Sequence, residues 1–176
     1  AGLNPEEQEE YAKRWSSIGK DDPFYDRPFV PMKLDVNGKT VTVVPVHLSQ
    51  PWRRLGSTVK IIKEIFLGRH NPLIHQIEDV MGRVAGRASA LVIGDFNMPR
   101  GYMGLPTRGY SRMHGIGSAA VARNQPSFPA PSAGEPMRMP AMQIDHAFTV
   151  GGLTPTAGEV LPIMGSDHFP VYVVAK

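Results

Sequence analysis

Short apolar runs separated by polar turns dominate the chain after about residue 28. Two such runs, 29–36 and 39–47, are joined by Asn37-Gly38. Because this dipeptide readily takes positive φ at both central positions of a tight turn, the two runs are predicted to form a β-hairpin. Pro45 lacks a backbone N–H, which places it at a strand end or an open edge.

Two later stretches show the three-to-four-residue apolar spacing that is typical of helices packed on one face. The first lies within 49–68 and the second begins at Asn71-Pro72. A shorter surface helix is predicted from Pro5 to about Ser16, capped by Asn4. Because the two longer helices lie between buried strands, they are expected to form a crossover connection and to cover one face of a sheet.

The apolar run 90–93 leads directly into Gly94-Asp95-Phe96-Asn97, as expected for a buried strand that ends in a polar loop. Side chains alternate along an extended segment, so Asp95 and Asn97 are predicted to lie on one side and Phe96 on the other. Taken alone, an Asp-x-Asn after a strand is more often a turn than a catalytic site.

Polar residues also mark the tips of three other predicted strands. His47 ends the second strand of the hairpin, Asp145 lies near the start of the apolar run 143–150, and Asp167-His168 precede the closing strand 171–174. Four polar tips on four strands favour a shared site over four unrelated turns.

The ordered series VPVHLSQP, LVIGDFNMP, QIDHAFTV and GSDHFPVYVV resembles the second half of the endonuclease/exonuclease/phosphatase superfamily, the DNase I-like fold. The histidine in the His47 position is similar to that of the DNase I and neutral sphingomyelinase branches. The resemblance implies an α/β (α+β) fold, the C-terminal half of a DNase I-like four-layer α/β sandwich. Its sheet is expected to be mixed but mainly antiparallel, with covering helices.

The resemblance covers about 29–176, which divides the chain into an N-terminal helix and connector, 1–27, and a DNase I-like domain, 28–176. The family's first half, with an Asn on its first strand and a metal-binding Glu in a Gln-Glu pair, has no counterpart here. We therefore expect the chain to be the C-terminal portion of a longer hydrolase, completed by an upstream segment or by a second chain.

The resemblance implies metal-assisted hydrolysis of a phosphoester. His168 is expected to be the general base, since an imidazole titrates near neutral pH, and Asp145 its hydrogen-bonded partner. Asp167 matches the family's metal-side carboxylate, with Asp95 and Asn97 as further candidates. The expected ion is Mg²⁺, with Mn²⁺ or Ca²⁺ as alternatives, because hard oxygen ligands suit such cations.

Three further roles complete the implied site. Asp95 and Asn97 are expected to face the phosphorus centre, where Asn97 donates to a phosphoryl oxygen. His47 is expected to lie opposite His168 and to donate to a phosphoryl oxygen or to the leaving group.

Charge is distributed unevenly, although the net charge is only +3. No acid occurs between Phe96 and Gly134, and this stretch directly follows the Asp-x-Asn tip. Its arginines would attract an anion, so Arg100, Arg108 and Arg112 are candidate substrate-binding residues. The alternative is a solvated basic loop without a ligand.

Two classes of function remain open on the sequence. The first is a divalent-metal phosphodiesterase, of nuclease or phospholipase type, acting on nucleic acid or a phospholipid head group. The second is a non-catalytic remnant that binds anions or nucleic acid. The absence of cysteine excludes disulfides and thiolate metal sites. No apolar stretch approaches the roughly 20 residues of a membrane span; bacterial relatives are often tethered upstream, which favours the bacterial envelope or periplasm over the cytoplasm.

Overall fold

The computed structural model describes residues 30–48, 72–102, 105–122, 125–128, 141–162 and 165–176. The helices predicted at 5–16 and within 49–68 lie outside the described residues.

The described residues form nine strands and two helices. In chain order they are β1 Met32–Val36, β2 Lys39–His47, α1 Pro72–Val84, β3 Ser89–Asp95, β4 Gly101–Tyr102, β5 Leu105–Pro106, α2 Arg108–Met113, β6 Ser118–Ala119, β7 Asp145–Gly151, β8 Pro155–Val160 and β9 Val171–Ala175.

Five strands form the central sheet in the order β1-β2-β3-β7-β6. Strands β2 and β3 run parallel, whereas β1, β7 and β6 each pair antiparallel with their neighbours. Two smaller antiparallel pairs, β4-β5 and β8-β9, accompany it. The mixed, mainly antiparallel sheet predicted from the resemblance is confirmed, and α1 lies in the crossover between the two parallel strands.

The predicted hairpin is confirmed at its turn and at its proline. Asn37 has φ 54° and Gly38 φ 78°, the left-handed backbone that this turn requires. Pairing between β1 and β2 reaches only Met32 opposite Val43. Pro45 lies beyond that point and, within the described residues, has only β3 beside it, so its missing N–H costs no ladder bond.

One face of the central sheet packs against α1, as the apolar spacing predicted. The buried helix side chains are Leu73, Ile77, Val80 and Val84. They meet alternate residues of the sheet, which are fully buried in the same cluster: Val44, Ala90, Val92 and Phe148. This side of the sheet is the hydrophobic core.

The opposite face of the same strands is less covered. Met32, Leu34 and Val36 of β1 are 46%, 48% and 48% exposed. Their cross-strand neighbours on this side, which include Val43 and Leu91, are half-buried. We call this surface, made of Met32, Leu34, Val36, Val41, Val43, Leu91 and Ile93, the open face.

The described part of the basic stretch after Asn97 contains regular secondary structure. It contains β4, β5, α2 and β6. Thr107 begins α2 by accepting a hydrogen bond from the Tyr110 backbone N–H at 3.1 Å, and Tyr110 and Met113 are buried. A helix of six residues is too short to produce a recognisable apolar period, which explains why the pattern did not predict it.

Candidate active site

Three of the predicted site residues lie in one row across the end of the central sheet. In the strand register His47 pairs with Asp95, and Asp95 pairs with Asp145. Directly paired residues point to the same side of a sheet, so their side chains converge. The Nε2 atom of His47 lies 3.5 Å from Oδ2 of Asp95.

His168 joins this row from the segment before β9. Its Nδ1 atom lies 2.9 Å from Oδ2 of Asp145. Because an ionised carboxylate only accepts hydrogen bonds, Nδ1 carries the proton, and the neutral ring therefore has its lone pair on Nε2. The two predicted histidines, His47 and His168, thus lie at the same rim of the sheet, each against one member of the Asp95–Asp145 pair.

The electrostatic surroundings favour the charged form of His168. The hydrogen bond to the Asp145 carboxylate raises the pKa of His168 above its ordinary value, partial burial opposes this, and the charges of Asp145, Asp95 and Asp167 add to the increase. The imidazole is thus held by the acid in the arrangement that stabilises a proton taken up during a reaction.

Asn97 reaches the site through a turn, not through strand alternation. Strand β3 ends at Asp95, and Asn97 has φ 48°. Its backbone N–H donates to Oδ1 of Asp95 at 2.6 Å, and its Nδ2 donates to Oδ2 of Asp95 at 3.0 Å and to the Leu48 carbonyl at 2.7 Å. Asn97 is buried, and its amide holds the Asp95 carboxylate in place.

A cleft of about 280 Å³ opens beside the Asp145–His168 pair. Its lining is mostly apolar or small: Ile93, Gly94, Asp145, Ser166, His168, Phe169, Pro170 and Val171. Gly94 is required where β3 passes β2, because a Cβ there would lie 2.0 Å from the Val46 carbonyl oxygen and the residue has φ 144°. The cleft therefore offers an acid–imidazole pair on an apolar wall.

Two carboxylates and one imidazole could hold a divalent cation at this rim. One ligand atom from each of Asp95, Asp145 and His168 lies within 4.8 Å of the others. Oxygen-rich donor sets of this kind fit Mg²⁺ and Mn²⁺. Asp167 is exposed and lies outside this group of three, accepting a hydrogen bond from Ser166 Oγ at 3.3 Å.

Two of the three predicted substrate-binding arginines make contacts with other parts of the chain. Arg100 donates to the Val121 carbonyl at 3.1 Å and lies 5.1 Å from the Tyr110 ring centroid. Arg112 pairs with Glu78 of α1 at 2.8 Å, on the helix-covered side of the sheet. Arg108 is exposed at the start of α2. In a stretch without acids, arginines find tertiary partners that sequence proximity does not reveal.

Two further buried polar residues lie beside the site. Ser127 accepts hydrogen bonds from the backbone N–H groups of Ile144 and Asp145. His146 alternates to the other side of β7 from Asp145, and its Nε2 lies 2.8 Å from the Met98 carbonyl oxygen. Ser127 lies in a Pro- and Ser-rich stretch without period, so no sequence pattern indicated it.

A family model, described as the Endonuclease/Exonuclease/phosphatase family, matches residues 20–168. The chain belongs to this family. No curated protein sequence matches the chain. Among the described residues, no helix is long and apolar enough to cross a membrane.

Solved structures of the family share the fold at low sequence identity. A mutant of beta toxin from Staphylococcus aureus with bound magnesium ions is 18% identical with a TM-score of 0.59, over 86% of this chain and 58% of that one. The inositol polyphosphate 5-phosphatase domain of SPsynaptojanin, in complex with inositol (1,4)-bisphosphate and calcium ion, is 13% identical with a TM-score of 0.61, over 86% and 51%. A mannosyl-6-phosphatase from Bacteroides thetaiotaomicron is 16% identical with a TM-score of 0.51, over 84% and 55%. The chain thus spans just over half the length of these structures.

Proposed function

We propose that this chain carries the catalytic rim of a divalent-metal-dependent phosphoester hydrolase, most simply a phosphodiesterase. The observation that carries the proposal is the Asp145–His168 hydrogen bond beside Asp95 and His47, all at one rim of the sheet. Membership of a family of nucleases and phosphatases supports this reaction class. The proposed substrates contain a phosphodiester, as in nucleic acid or a phospholipid head group.

His168 acts as the general base in this proposal. Its Nε2 faces away from Asp145 and accepts a proton from the attacking water, while Asp145 fixes the ring and stabilises the imidazolium. A positioned base of this type contributes about 10²–10⁴-fold to the rate. Oxygen of the water then forms the new bond to phosphorus as the ester oxygen leaves.

The remaining residues bind and orient. His47 is proposed to donate a hydrogen bond to a phosphoryl oxygen or to the leaving group. Asn97 holds Asp95, and it can donate to a phosphoryl oxygen only by releasing one of its two present acceptors. Arg108 is exposed and is proposed to attract the anionic substrate at longer range.

A divalent cation fits the donor set at this rim. Asp95, which lies in the group of three with Asp145 and His168, is its proposed central ligand. Asp167 and the side-chain oxygen of Asn97, outside that group, are proposed as further oxygen donors, with Mg²⁺ as the ion (Mn²⁺ or Ca²⁺ as alternatives). When bound, such an ion neutralises negative charge on the phosphoryl oxygens. Asp145 already accepts a hydrogen bond from His168, so it is proposed as a secondary ligand of the ion.

The proposed function predicts metal-dependent hydrolysis that requires Asp95. The chain completed by its upstream segment or second chain should hydrolyse bis-p-nitrophenyl phosphate and nick plasmid DNA with Mg²⁺, and EDTA should abolish both. Replacing Asp95→Asn should weaken Mn²⁺ binding at least about tenfold, measured by calorimetry, because the ion loses a charged oxygen ligand. Asp79→Asn, in the ion pair of α1 with Arg83, is the matched control and should bind as the unmodified chain does.

Hydrolysis that survives EDTA and Asp95→Asn would overturn the metal-dependent proposal. Retention of plasmid DNA on the protein without any hydrolysis would instead favour the second function, an anion- or nucleic-acid-binding remnant. Arg100 and Arg112 already contact Val121, Tyr110 and Glu78, which weighs against that alternative.

We further propose that an upstream segment or a second chain with an apolar sheet surface packs on the open face. Met32, Leu34 and Val36 are each about half exposed, so complete burial would contribute about 1 kcal/mol per side chain, roughly half the value for a fully exposed one. The separate chain should therefore bind an apolar fluorescent dye, and Leu34→Lys should lower that fluorescence more than twofold. Lys33→Ser, on the other side of β1, should change it little.

Analytical ultracentrifugation measures whether the separate chain is a monomer. A monomer that also melts in one sharp transition and binds no dye would contradict the proposal that the open face needs a partner.

A further inference from the structure

Ser127 lies beneath the site and is fully buried. Its Oγ accepts hydrogen bonds from two consecutive backbone N–H groups, those of Ile144 at 3.1 Å and Asp145 at 3.0 Å. A hydroxyl oxygen has two acceptor lone pairs, so one small side chain can satisfy both donors at the start of β7. These contacts fix the backbone from which the Asp145 carboxylate projects.

The same residue also contacts the segment that carries His168. The Ser127 carbonyl accepts a hydrogen bond from the Phe169 N–H at 2.8 Å. Next along the chain, the Phe128 ring centroid lies 4.8 Å from that of His168, with the rings tilted by 46°. Residues 127–128 therefore contact both sides of the Asp145–His168 pair.

The segment is itself anchored by backbone pairing. Phe128 forms an antiparallel bridge with Met142, and the Ser127 N–H donates to the Met142 carbonyl at 2.9 Å. Asp145 and His168 are 23 positions apart. Asp145 begins β7 of the central sheet, whereas His168 precedes β9 of the separate β8-β9 pair, so strand pairing within one sheet does not set the distance between them.

We propose that Ser127 and Phe128 are positioning residues, a clamp that sets the distance and angle between Asp145 and His168. The clamp acts on the hydrolase proposed above and rests on it for its effect on rate. The Ser127 hydroxyl oxygen holds Asp145 by accepting its backbone N–H, and the Ser127 carbonyl holds the backbone after His168 by accepting the Phe169 N–H. The Phe128 ring restricts rotation of the imidazole. Misplacement of reacting groups by about 1 Å can lower a rate about 10²-fold.

Ser127→Ala tests the clamp against Thr107→Ala, which removes another buried hydroxyl with two backbone contacts, to Tyr110 N–H and the Pro99 carbonyl. At a temperature where both variants are folded, Ser127→Ala should lower kcat about 10- to 100-fold with KM changed less than twofold. Thr107→Ala should keep kcat within about threefold. Ser127→Thr restores the hydroxyl and should recover most of the rate.

A second measurement does not depend on turnover. The hydrogen-bonded Nδ1–H proton of His168 should give an NMR signal in the unmodified chain and in Thr107→Ala, and should broaden or vanish in Ser127→Ala. If Ser127→Ala does not fold, Phe128→Leu, which keeps every Ser127 hydrogen bond, should weaken the same signal. An unchanged signal with unchanged kcat would overturn the clamp; loss of the signal in a chain that never hydrolyses phosphodiesters would support the clamp and overturn the hydrolase.

Discussion

Replacing His168→Ala should lower kcat for phosphodiester hydrolysis by about 10²–10⁴-fold, the range that a positioned general base contributes. The reason lies in the pairing of the ring with Asp145: Nδ1 is bound by the carboxylate, so the free ring nitrogen is Nε2. Alanine removes both the proton acceptor and the partner of Asp145. Steady-state kinetics with bis-p-nitrophenyl phosphate at saturating Mg²⁺ measures the loss.

His114→Ala is the matched histidine control. His114 follows α2 and contacts the rings of Tyr110 and Phe148, on the helix-covered side of the sheet, so its removal should change kcat by less than about threefold. Asp145→Asn should also lower kcat, because an amide can donate to Nδ1 of His168 and so favour the tautomer with its proton on Nε2. Equal rates for His168→Ala and the unmodified chain would exclude His168 as the base.

The second large effect concerns stability in mild acid. His146 is buried among aromatic rings, and burial lowers its pKa from 6.5 to about 4, despite the Met98 carbonyl contact and the nearby Asp145 charge, with Arg100 also lowering it. His146 therefore takes up a proton near pH 6.5 in the unfolded chain but only near pH 4 in the folded chain. The contribution of neutral His146 to the free energy of unfolding is fully present above its pKa in the unfolded chain, 6.5, and is lost as pH falls towards its pKa in the folded chain, about 4. The shift corresponds to a loss of about 3 kcal/mol in the free energy of unfolding.

His146→Gln isolates this contribution, because glutamine keeps a donor for the Met98 carbonyl and has no proton to gain. Urea unfolding in metal-free buffer should show the unmodified chain losing about 3 kcal/mol more than the variant between pH 7.5 and pH 4. His168, whose pKa is raised, acts in the opposite direction and is present in both proteins, so it cancels. Parallel pH dependences in the two proteins would mean that His146 is not buried as a neutral ring.

Much of the site can be predicted from the sequence, because the strands and the polar residues at their ends are both visible in the pattern of apolar and polar positions. Apolar runs give the strands, and polar residues at their tips give His47, Asp95 and Asp145. Strand pairing then brings them into one row. The family motifs add His168, which no periodicity could connect to Asp145 across 23 positions.

The rest depends on contacts that no local pattern encodes. Asn97 was expected on a straight strand, but its side chain bonds Asp95 and Leu48 and draws the backbone to φ 48°. Arg100 was expected to face substrate, but it lies against an aromatic ring in the folded chain. Ser127 has a role only because two backbone amides happen to start a strand beside it.

The pairing of Asp95 with Asp145 has one more consequence. Side chains on a strand change sides at every residue, so a slip of β7 by a single position would turn Asp145 into the core and bring buried His146 to the cleft. Such a one-position shift would remove the Asp145–His168 contact altogether instead of weakening it. Turnover would then report on correct strand alignment as well as on the chemistry of the site.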